Sequence, residues 1–358
     1  MLCLGVESSC DDTALALVRD GQLIARCCSS QTDLHAVFGG VVPEIASRAH
    51  LEFLPALWRE LLTQAGLAED DIEGIAVTRG PGLLGSLLVG LSFAKGLALR
   101  LELPLVGVNH LHAHMLAPGL EQELVFPALG LLISGGHTHL YRIRSFFDFE
   151  LLGRTLDDAV GEAFDKAGKM LNLPYPGGIF IDRLAAYGRP DHGLLPYPYL
   201  KNTSLDFSFS GLKTAVLRHI TLHPELPLPV MPTARNFTPG PGPVADFCAT
   251  LNQTIAHTLR VKAQRAISAS VNCQSLIVAG GAASNTCIRQ VMAGLAQENG
   301  LKIIIPSSAL CTDNAAMIAF LGEKLLQAGY RHGPDLDGIP RGRTIPDDYQ
   351  RQGAADIF

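Results

Sequence analysis

Apolar positions in this chain switch between two periods, and the switches mark its elements. Residues 2–6 are continuously apolar, Glu7-Ser8-Ser9-Cys10-Asp11-Asp12 is polar, and residues 13–18 are apolar again. Asp20-Gly21 supplies a tight-turn dipeptide before residues 22–27 resume an extended pattern. The opening is therefore predicted to be an antiparallel meander of strands. Gly39-Gly40-Val41-Val42-Pro43-Glu44 reads as a loop opening a helix, because apolar residues at 45, 49, 53, 54, 57, 58, 61 and 62 keep one face at helical spacing to about Gln64. Phe53 and Trp58 fall on that face and read as core. Residues 72–77 form the next predicted strand, Thr78-Arg79-Gly80-Pro81-Gly82 a glycine-rich turn, and residues 83–99 a helix. The apolar run 105–108 is a strand that delivers Asn109-His110-Leu111-His112-Ala113-His114-Met115. That stretch is a short helix with Asn109 as its N-cap, closed by Pro118-Gly119.

The second half repeats the opening logic. Residues 128–133 are apolar, Ser134-Gly135-Gly136-His137-Thr138 is a small-residue turn, and residues 139–143 alternate as a strand. Such an echo predicts two related lobes facing each other across a cleft. Residues 155–171 are predicted as a helix bearing Asp157, Asp158, Glu162, Asp165 and Lys166, a mostly solvated carboxylate face. Tyr175-Pro176-Gly177-Gly178 is a turn before a helix carrying Asp182, and residues 206–213 alternate polar and aromatic before a helix beginning near Leu212. The stretch 223–243 holds seven prolines and reads as a linker or surface insertion with no packed structure of its own. A long helix over 244–270, a strand over 275–279, Gly280-Gly281-Ala282-Ala283-Ser284-Asn285, a helix to Leu295 and a strand over 302–306 follow. Cys311-Thr312-Asp313-Asn314-Ala315-Ala316-Met317 starts the last helix, to about Gln327, and the polar tail after Gly329 is expected to be peripheral.

Composition narrows this picture. At 358 residues the chain suggests two domains. Hydrophobic residues make up 47% and charged ones 17%, which favours large buried sheets over a solvated or disordered chain. A net charge of −6 excludes holding nucleic acid by bulk electrostatics, so any such contact is local or helped by a partner. The eight cysteines form no CxxC pair and read as small buried thiols in a reducing cytosol. The chain starts directly in a strand, with no secretory leader pattern, and Lys95 and Arg100 interrupt its most apolar long segment. A cytoplasmic protein is the expectation.

Candidate chemistry centres on the histidines. His110 and His114 are four residues apart on one helical face, spacing that suits either one metal ion or an ordinary polar surface. His112 lies roughly 200° around the helix and does not join them. The Ser/Asp turn at 8–12 offers hydroxyls, amides and carboxylates to a phosphate or its metal, or is an ordinary hairpin loop. The turn at Gly80-Pro81-Gly82 lacks the Lys-Ser/Thr ending of a P-loop. Gly280-Gly281 suits close approach of a nucleotide, with Asn285 available to a ribose or base edge. His137 reads as a ligand, a base or a solvent-exposed turn residue. On spacing alone, Asp313 at a helix entry reads as a cap. A metalloprotease would want Glu beside the first histidine, where Asn109 and Leu111 stand instead. A metal-dependent small-molecule kinase would not need the histidine pair.

These motifs occur in an order that resembles the TsaD family of tRNA threonylcarbamoyladenosine transferases, once misnamed O-sialoglycoprotein endopeptidases. The resemblance rests on residues 4–13, on Gly39-Gly40-Val41-Val42-Pro43-Glu44, on His110 with His114, and on Ser134-Gly135-Gly136-His137-Thr138. Ala163-Phe164-Asp165-Lys166, residues 206–213 and residues 311–314 complete the set, so that it spans roughly 2 to 330. It implies an α/β, two-lobed actin/Hsp70/sugar-kinase-like (ASKHA) fold with duplicated ribonuclease-H-like lobes. Lobe I would comprise 1–117 completed by about 315–345, and lobe II 118–314. It also implies that His110, His114 and Asp313 bind one divalent metal, Fe(2+) or Zn(2+). Leu132, Ile133, Ser134, Gly135, Gly136, Asp165, Gly178, Asp182 and Asn285 would hold threonylcarbamoyl-AMP. The implied reaction moves the threonylcarbamoyl group to N6 of the adenosine beside the anticodon of tRNAs reading ANN codons, with Asp11 or His137 assisting proton removal. Implied partners are tRNA, a paralogous subunit and a small ATPase (TsaB- and TsaE-like), and an adenylate-forming synthase upstream, with no membrane. Two positions depart from the family pattern: His112 where Glu is common, and Ala315 where Gly is common.

Overall fold

The computed structural model describes residues 1–351 except Val37, Gly39, Ala234, Arg235 and Val271. Gly39 of the predicted loop therefore lies outside the described residues, as do two positions of the proline-rich stretch. The chain divides into two compact units, Met1–Leu124 with Thr312–Phe358, and Val125–Cys311.

In the first unit the meander is present as β1 (Leu2–Glu7), β2 (Asp12–Arg19) and β3 (Gln22–Ser30), followed by α1 (Thr32–Ala36), α2 (Pro43–Ala65), β4 (Gly74–Gly80), α3 (Leu84–Leu101), β5 (Leu105–Asn109) and α4 (His110–Leu116). The sheet order is β3-β2-β1-β4-β5, with β1, β2 and β3 antiparallel and β4 and β5 parallel to β1. Asp20 and Gly21 both have positive φ, 52° and 78°, the backbone a two-residue hairpin with right-handed strand twist requires.

The second unit contains β6 (Ala128–Ile133), β7 (Thr138–Ser145), β8 (Asp148–Arg154), α5 (Val160–Met170), α6 (Gly177–Ala185), α7 (Ser210–Leu222), α8 (Pro243–Ala269), β9 (Ser275–Ala279), α9 (Thr286–Glu298), β10 (Lys302–Ile304) and α10 (Ser308–Cys311). Its sheet order, β8-β7-β6-β9-β10, repeats the first sheet strand for strand, including which pairs are antiparallel. The duplicated ribonuclease-H-like expectation is met in both topology and direction. After it, α11 (Ala315–Gln327) returns to the first unit.

Helix α11 is buried on nearly every side: Ala315 through Glu323, Leu325 and Leu326 are all buried. It packs on β1, β2, β4 and β5 at a distance that admits no side chain at two points. A Cβ on Gly322 would lie 2.0 Å from that of Ala76, and one on Gly5 2.3 Å from the Ala315 carbonyl oxygen. The opposite face of the sheet is covered by α2 and α3, where Leu54, Leu57, Trp58, Leu61, Leu87 and Leu91 join the strand residues in one core. Among the described residues, α3 is the one helix long and apolar enough to cross a membrane. Here it packs as a domain helix, burying Ser86, Leu87, Gly90, Leu91, Ala94 and Ala98.

Three predictions need correction, and one strand is absent from the sequence reading. The helix expected over 155–171 begins only at Val160, because the Asp157 carboxylate accepts the amides of Phe209 and Ser210 (2.8 and 3.2 Å) and so belongs to the start of α7. Strand β8 was not read from the sequence, since only one of its residues is fully buried and alternation is weak. The proline-rich stretch is no free linker: Leu226 and Phe237 are buried in the second core, and the Leu228 amide bonds the Leu171 carbonyl at 3.1 Å. The C-terminal tail is not peripheral either. Leu336 is buried in the first core, and the buried Arg79 guanidinium bonds Asp348.

The side chain of Glu323 is fully buried and accepts the amides of Asp20 and Gly21, the latter at 2.8 Å, so α11 holds the hairpin turn directly. Glu323→Ala strips those amides of their acceptor and is expected to destabilise the protein by about 1–3 kcal/mol in urea unfolding. An unchanged midpoint would show that the turn holds itself.

Candidate functional site

The end of β5 and the start of α4 place two imidazoles side by side. Asn109 Oδ1 accepts the amides of Leu111 and His112 at 3.0 and 3.4 Å, the expected cap. One turn apart, the buried His110 and His114 rings stand edge to face with centroids 4.6 Å apart. Asp313 approaches from the segment just before α11. Its Oδ1 lies 3.0 Å from His114 Nε2 and 3.4 Å from His110 Nε2. Asp313 is not the helix cap that its position suggested: Asn314 takes that task, its Oδ1 accepting the Met317 amide at 3.0 Å. The Asp313 carboxylate is thereby free to face the histidines. His112 stays outside this group, which consists of His110, His114 and Asp313 with ligand atoms all within 4.8 Å of one another.

Behind them stands a residue that sequence reading did not assign. Glu7, at the end of β1, is fully buried. Its Oε2 contacts His110 Nδ1 at 2.9 Å and accepts from Thr78 Oγ1 at 2.6 Å, while Oε1 accepts the Ser9 amide at 2.6 Å. A carboxylate accepting from Nδ1 leaves Nε2 as the free ligating nitrogen, the usual device behind a metal-bound histidine. Burial opposes charge on His110, but Glu7 and Asp313 outweigh it and raise its pKa to about 10. Burial likewise opposes charge on Asp313, yet the two imidazoles hold its carboxyl well below the ordinary range. On His114 burial prevails and lowers the pKa. His114 also keeps a buried Nδ1 without a partner among the described residues. Two imidazoles and a carboxylate with a second carboxylate behind them form a donor set that suits a divalent cation.

The turn that follows β1 is tied down carbonyl by carbonyl. Ser9 O accepts from Leu83 N at 2.8 Å, Cys10 O from His50 Nε2 at 3.0 Å, and Asp11 O from Gln31 N at 3.0 Å. His50 is itself fixed by Thr13 Oγ1 at 2.7 Å. The backbone around the half-buried Asp11 is thus held from three elements.

The second unit gathers the other predicted residues. Leu132 and Ile133 end β6, and the Ser134–His137 turn closes on itself through Ser134 N to His137 O (2.8 Å) and His137 N to Ser134 Oγ (3.1 Å). Gly161 lets α5 approach this turn, since a Cβ there would sit 2.7 Å from the Gly135 Cα. Gly280, at φ 93°, lies against the Ile133 carbonyl and brings the loop before α9 to the same strand ends. Asp165 accepts the Gly177 amide at 2.8 Å, beside Gly178; burial raises its pKa to about 6 against the pull of those amides. Asp182 accepts from Thr286 N at 3.1 Å and Thr286 Oγ1 at 2.9 Å. Asn285 caps α9, its Oδ1 accepting the Ile288 amide at 3.0 Å.

Comparison with known proteins bears on the family and on the fold. The family model "TsaD: tRNA N6-adenosine threonylcarbamoyltransferase" matches residues 22–320. A tRNA N6-adenosine threonylcarbamoyltransferase of Nitratidesulfovibrio vulgaris is 57% identical over 99% of both chains. One of Maridesulfovibrio salexigens is 55% identical over 99% of this chain and 100% of its own length. The fold is shared with HypF of T. kodakarensis (TM-score 0.59, 15% identity, 91% of this chain and 48% of that one). It is shared too with component A of the Acidaminococcus fermentans (R)-2-hydroxyglutaryl-CoA dehydratase (TM-score 0.54, 14% identity, 90% and 98%).

Removing the carboxylate behind His110 tests the metal centre without touching a ligand. Glu7→Gln is expected to lower affinity for divalent metal by roughly 10–100-fold in competition against a chelator. Asp313→Ala should abolish stoichiometric binding in elemental analysis. Full retention of metal by both variants would remove the centre.

Proposed function

The chain belongs to the TsaD family of tRNA N6-adenosine threonylcarbamoyltransferases, and from that membership we propose how its own residues carry out the transfer. The enzyme moves the threonylcarbamoyl group from threonylcarbamoyl-AMP to N6 of the adenosine beside the anticodon, in tRNAs reading ANN codons, and releases AMP. The observation that carries the reading is the group of the buried His110 and His114 with the partly exposed Asp313, and Glu7 behind it, in a chain of this family.

His110, His114 and Asp313 hold one divalent ion, Fe(2+) in this reading with Zn(2+) the alternative. When bound, it supplies Lewis-acid polarisation of phosphate or carbamoyl oxygens. Leu132, Ile133, Ser134, Gly135, Gly136, Asp165, Gly178, Asp182 and Asn285 hold the adenylate. The mixed anhydride is already activated, so these residues contribute placement and charge stabilisation and no nucleophile is required. The adenosine amine attacks the carbamoyl carbon, a C–N bond forms, and the C–O bond to phosphate breaks with its electron pair leaving on AMP. Asp11 or His137 takes the proton released by the amine. The tied carbonyls of the Ser9–Asp11 turn support the first choice by keeping Asp11 in one place.

The net charge of −6 gives the chain little electrostatic hold on tRNA by itself. A paralogous subunit and a small ATPase, TsaB- and TsaE-like, complete the assembly in this reading, an upstream synthase supplies the adenylate, and the whole works in the cytoplasm. His112 changes the contact with tRNA or partner and leaves the chemistry intact.

Incubation with threonine, bicarbonate, ATP, the adenylate-forming enzyme, the partner subunits and unmodified tRNA should yield threonylcarbamoyladenosine in the digested nucleosides by mass. No product above the control without this chain would end the reading. Asp11→Ala or His137→Ala should slow transfer by about 10²–10⁴-fold with AMP binding retained. Full rates in both would exclude either residue as the base.

A further inference from the structure

Helix α8 runs through the second core with Leu251, Ile255 and Leu259 fully buried, yet it carries an amide in the same environment: Asn252 is 1% exposed. A buried primary amide is costly unless both its ends are paired. Both are, and to residues outside the helix. Asn252 Nδ2 donates to Asp182 Oδ1 on α6 at 3.1 Å, and Asn252 Oδ1 accepts from Asn285 Nδ2 at the head of α9 at 3.3 Å.

The direction of this chain is forced by its ends. At one end the Ile288 amide can only donate, so Asn285 turns its Oδ1 toward it and its Nδ2 toward Asn252. At the other end the Asp182 carboxylate, already accepting from Thr286 N and Oγ1, takes the Asn252 Nδ2. Asn252 therefore links two helices and fixes which way both side chains point. Asn285 is left with one N–H to donate, beside the second lone pair of its Oδ1. Asp182 offers acceptor lone pairs. The sequence reading of Asn285 as a ribose or base contact is thus given an orientation, with one N–H of its Nδ2 still open to a ligand.

We propose that Asn252 is a positioning residue for the nucleotide. It sets the orientation and spacing of Asp182 and Asn285, so that together they present one acceptor group and one donor to a nucleoside. The inference rests on the proposed assignment of Asp182 and Asn285 to adenylate binding. Asn252 itself touches no reacting atom, so its loss weakens ground-state binding: KM for the adenylate rises while kcat is kept.

The test is a double-mutant cycle on the full chain, with AMP as the titrated ligand in calorimetry. Asn252→Ala is expected to weaken AMP binding about tenfold. Because it acts through Asp182 as well as Asn285, the loss in the Asn252→Ala/Asp182→Ala pair should be smaller than the sum of the two single losses. Asn252→Asp, which keeps the volume but turns an acceptor toward Asp182, should weaken AMP at least as much as the alanine. Circular dichroism and the thermal unfolding midpoint report whether each variant is folded. AMP affinity of both Asn252 variants within about twofold of the parent, beside a weakened Asp182→Ala, would overturn the proposal and leave the adenylate site standing; so would losses that add in full. If Asp182→Ala itself binds AMP as the parent does, the assignment of Asp182 fails and the proposal falls with it.

Discussion

The approach of α11 to the first sheet is the constraint on which the candidate metal centre depends. Gly5 on β1 and Gly322 on α11 bring backbone to backbone, with the Ala315 carbonyl pressed against Gly5. That contact sets where the segment before the helix must run. Asn314 caps the helix, so the residue immediately before it, Asp313, is released from capping and meets the histidines that β5 delivers at its own end. A methyl group at either glycine would push the helix outward and move the carboxylate away from the imidazoles. Packing density and ligand geometry are here one problem. Ala315 is accommodated at this approach because the contact with Gly5 is made by its carbonyl, with its side chain buried in the core.

The electrostatics of the centre follow from setting a buried carboxylate, Glu7, and a partly exposed one, Asp313, beside two imidazoles. Isolated, a buried carboxylate would be expensive. Glu7 is instead bonded to Ser9 N, Thr78 Oγ1 and His110 Nδ1, and Asp313 faces both histidines. The negative charge is thus prepared by the protein in advance, at a position where a cation completes it. In the second unit orientation is fixed by uncharged amides that end on a single carboxylate, Asp182. A line of amides from Ile288 through Asn285 and Asn252 to Asp182 leaves each side chain one direction to face. Directional bonding of this kind fixes orientation without the desolvation cost of buried ions.

Much of the architecture was legible in the sequence because the signals are local. The Asp20-Gly21 turn, the strand at Ser275–Ala279, the helix cap at Asn109 and the echo between the two halves each depend on a few neighbouring residues, and each is present as read. The failures share a cause. Asp157 was assigned to a helix because its spacing fits one, but Ser208, Phe209 and Ser210 claim its carboxylate from some fifty residues away. The proline-rich stretch and the tail lack any periodicity of their own, so the burial of Leu226, Phe237 and Leu336 against distant elements left no mark in the pattern.

The sequence by itself determined that the chain forms two lobes of like topology, that His110 and His114 share a helical face, and which family its motifs resemble. Tertiary structure alone decided that Glu7 stands behind His110 across 103 positions and that Asp313 is released to face His114 across 199. It alone decided that Asn252 joins Asp182 to Asn285. The reason is physical. Periodicity and capping act over one or two turns of chain, whereas these meetings are set by strand order and by how closely a helix can lie on a sheet.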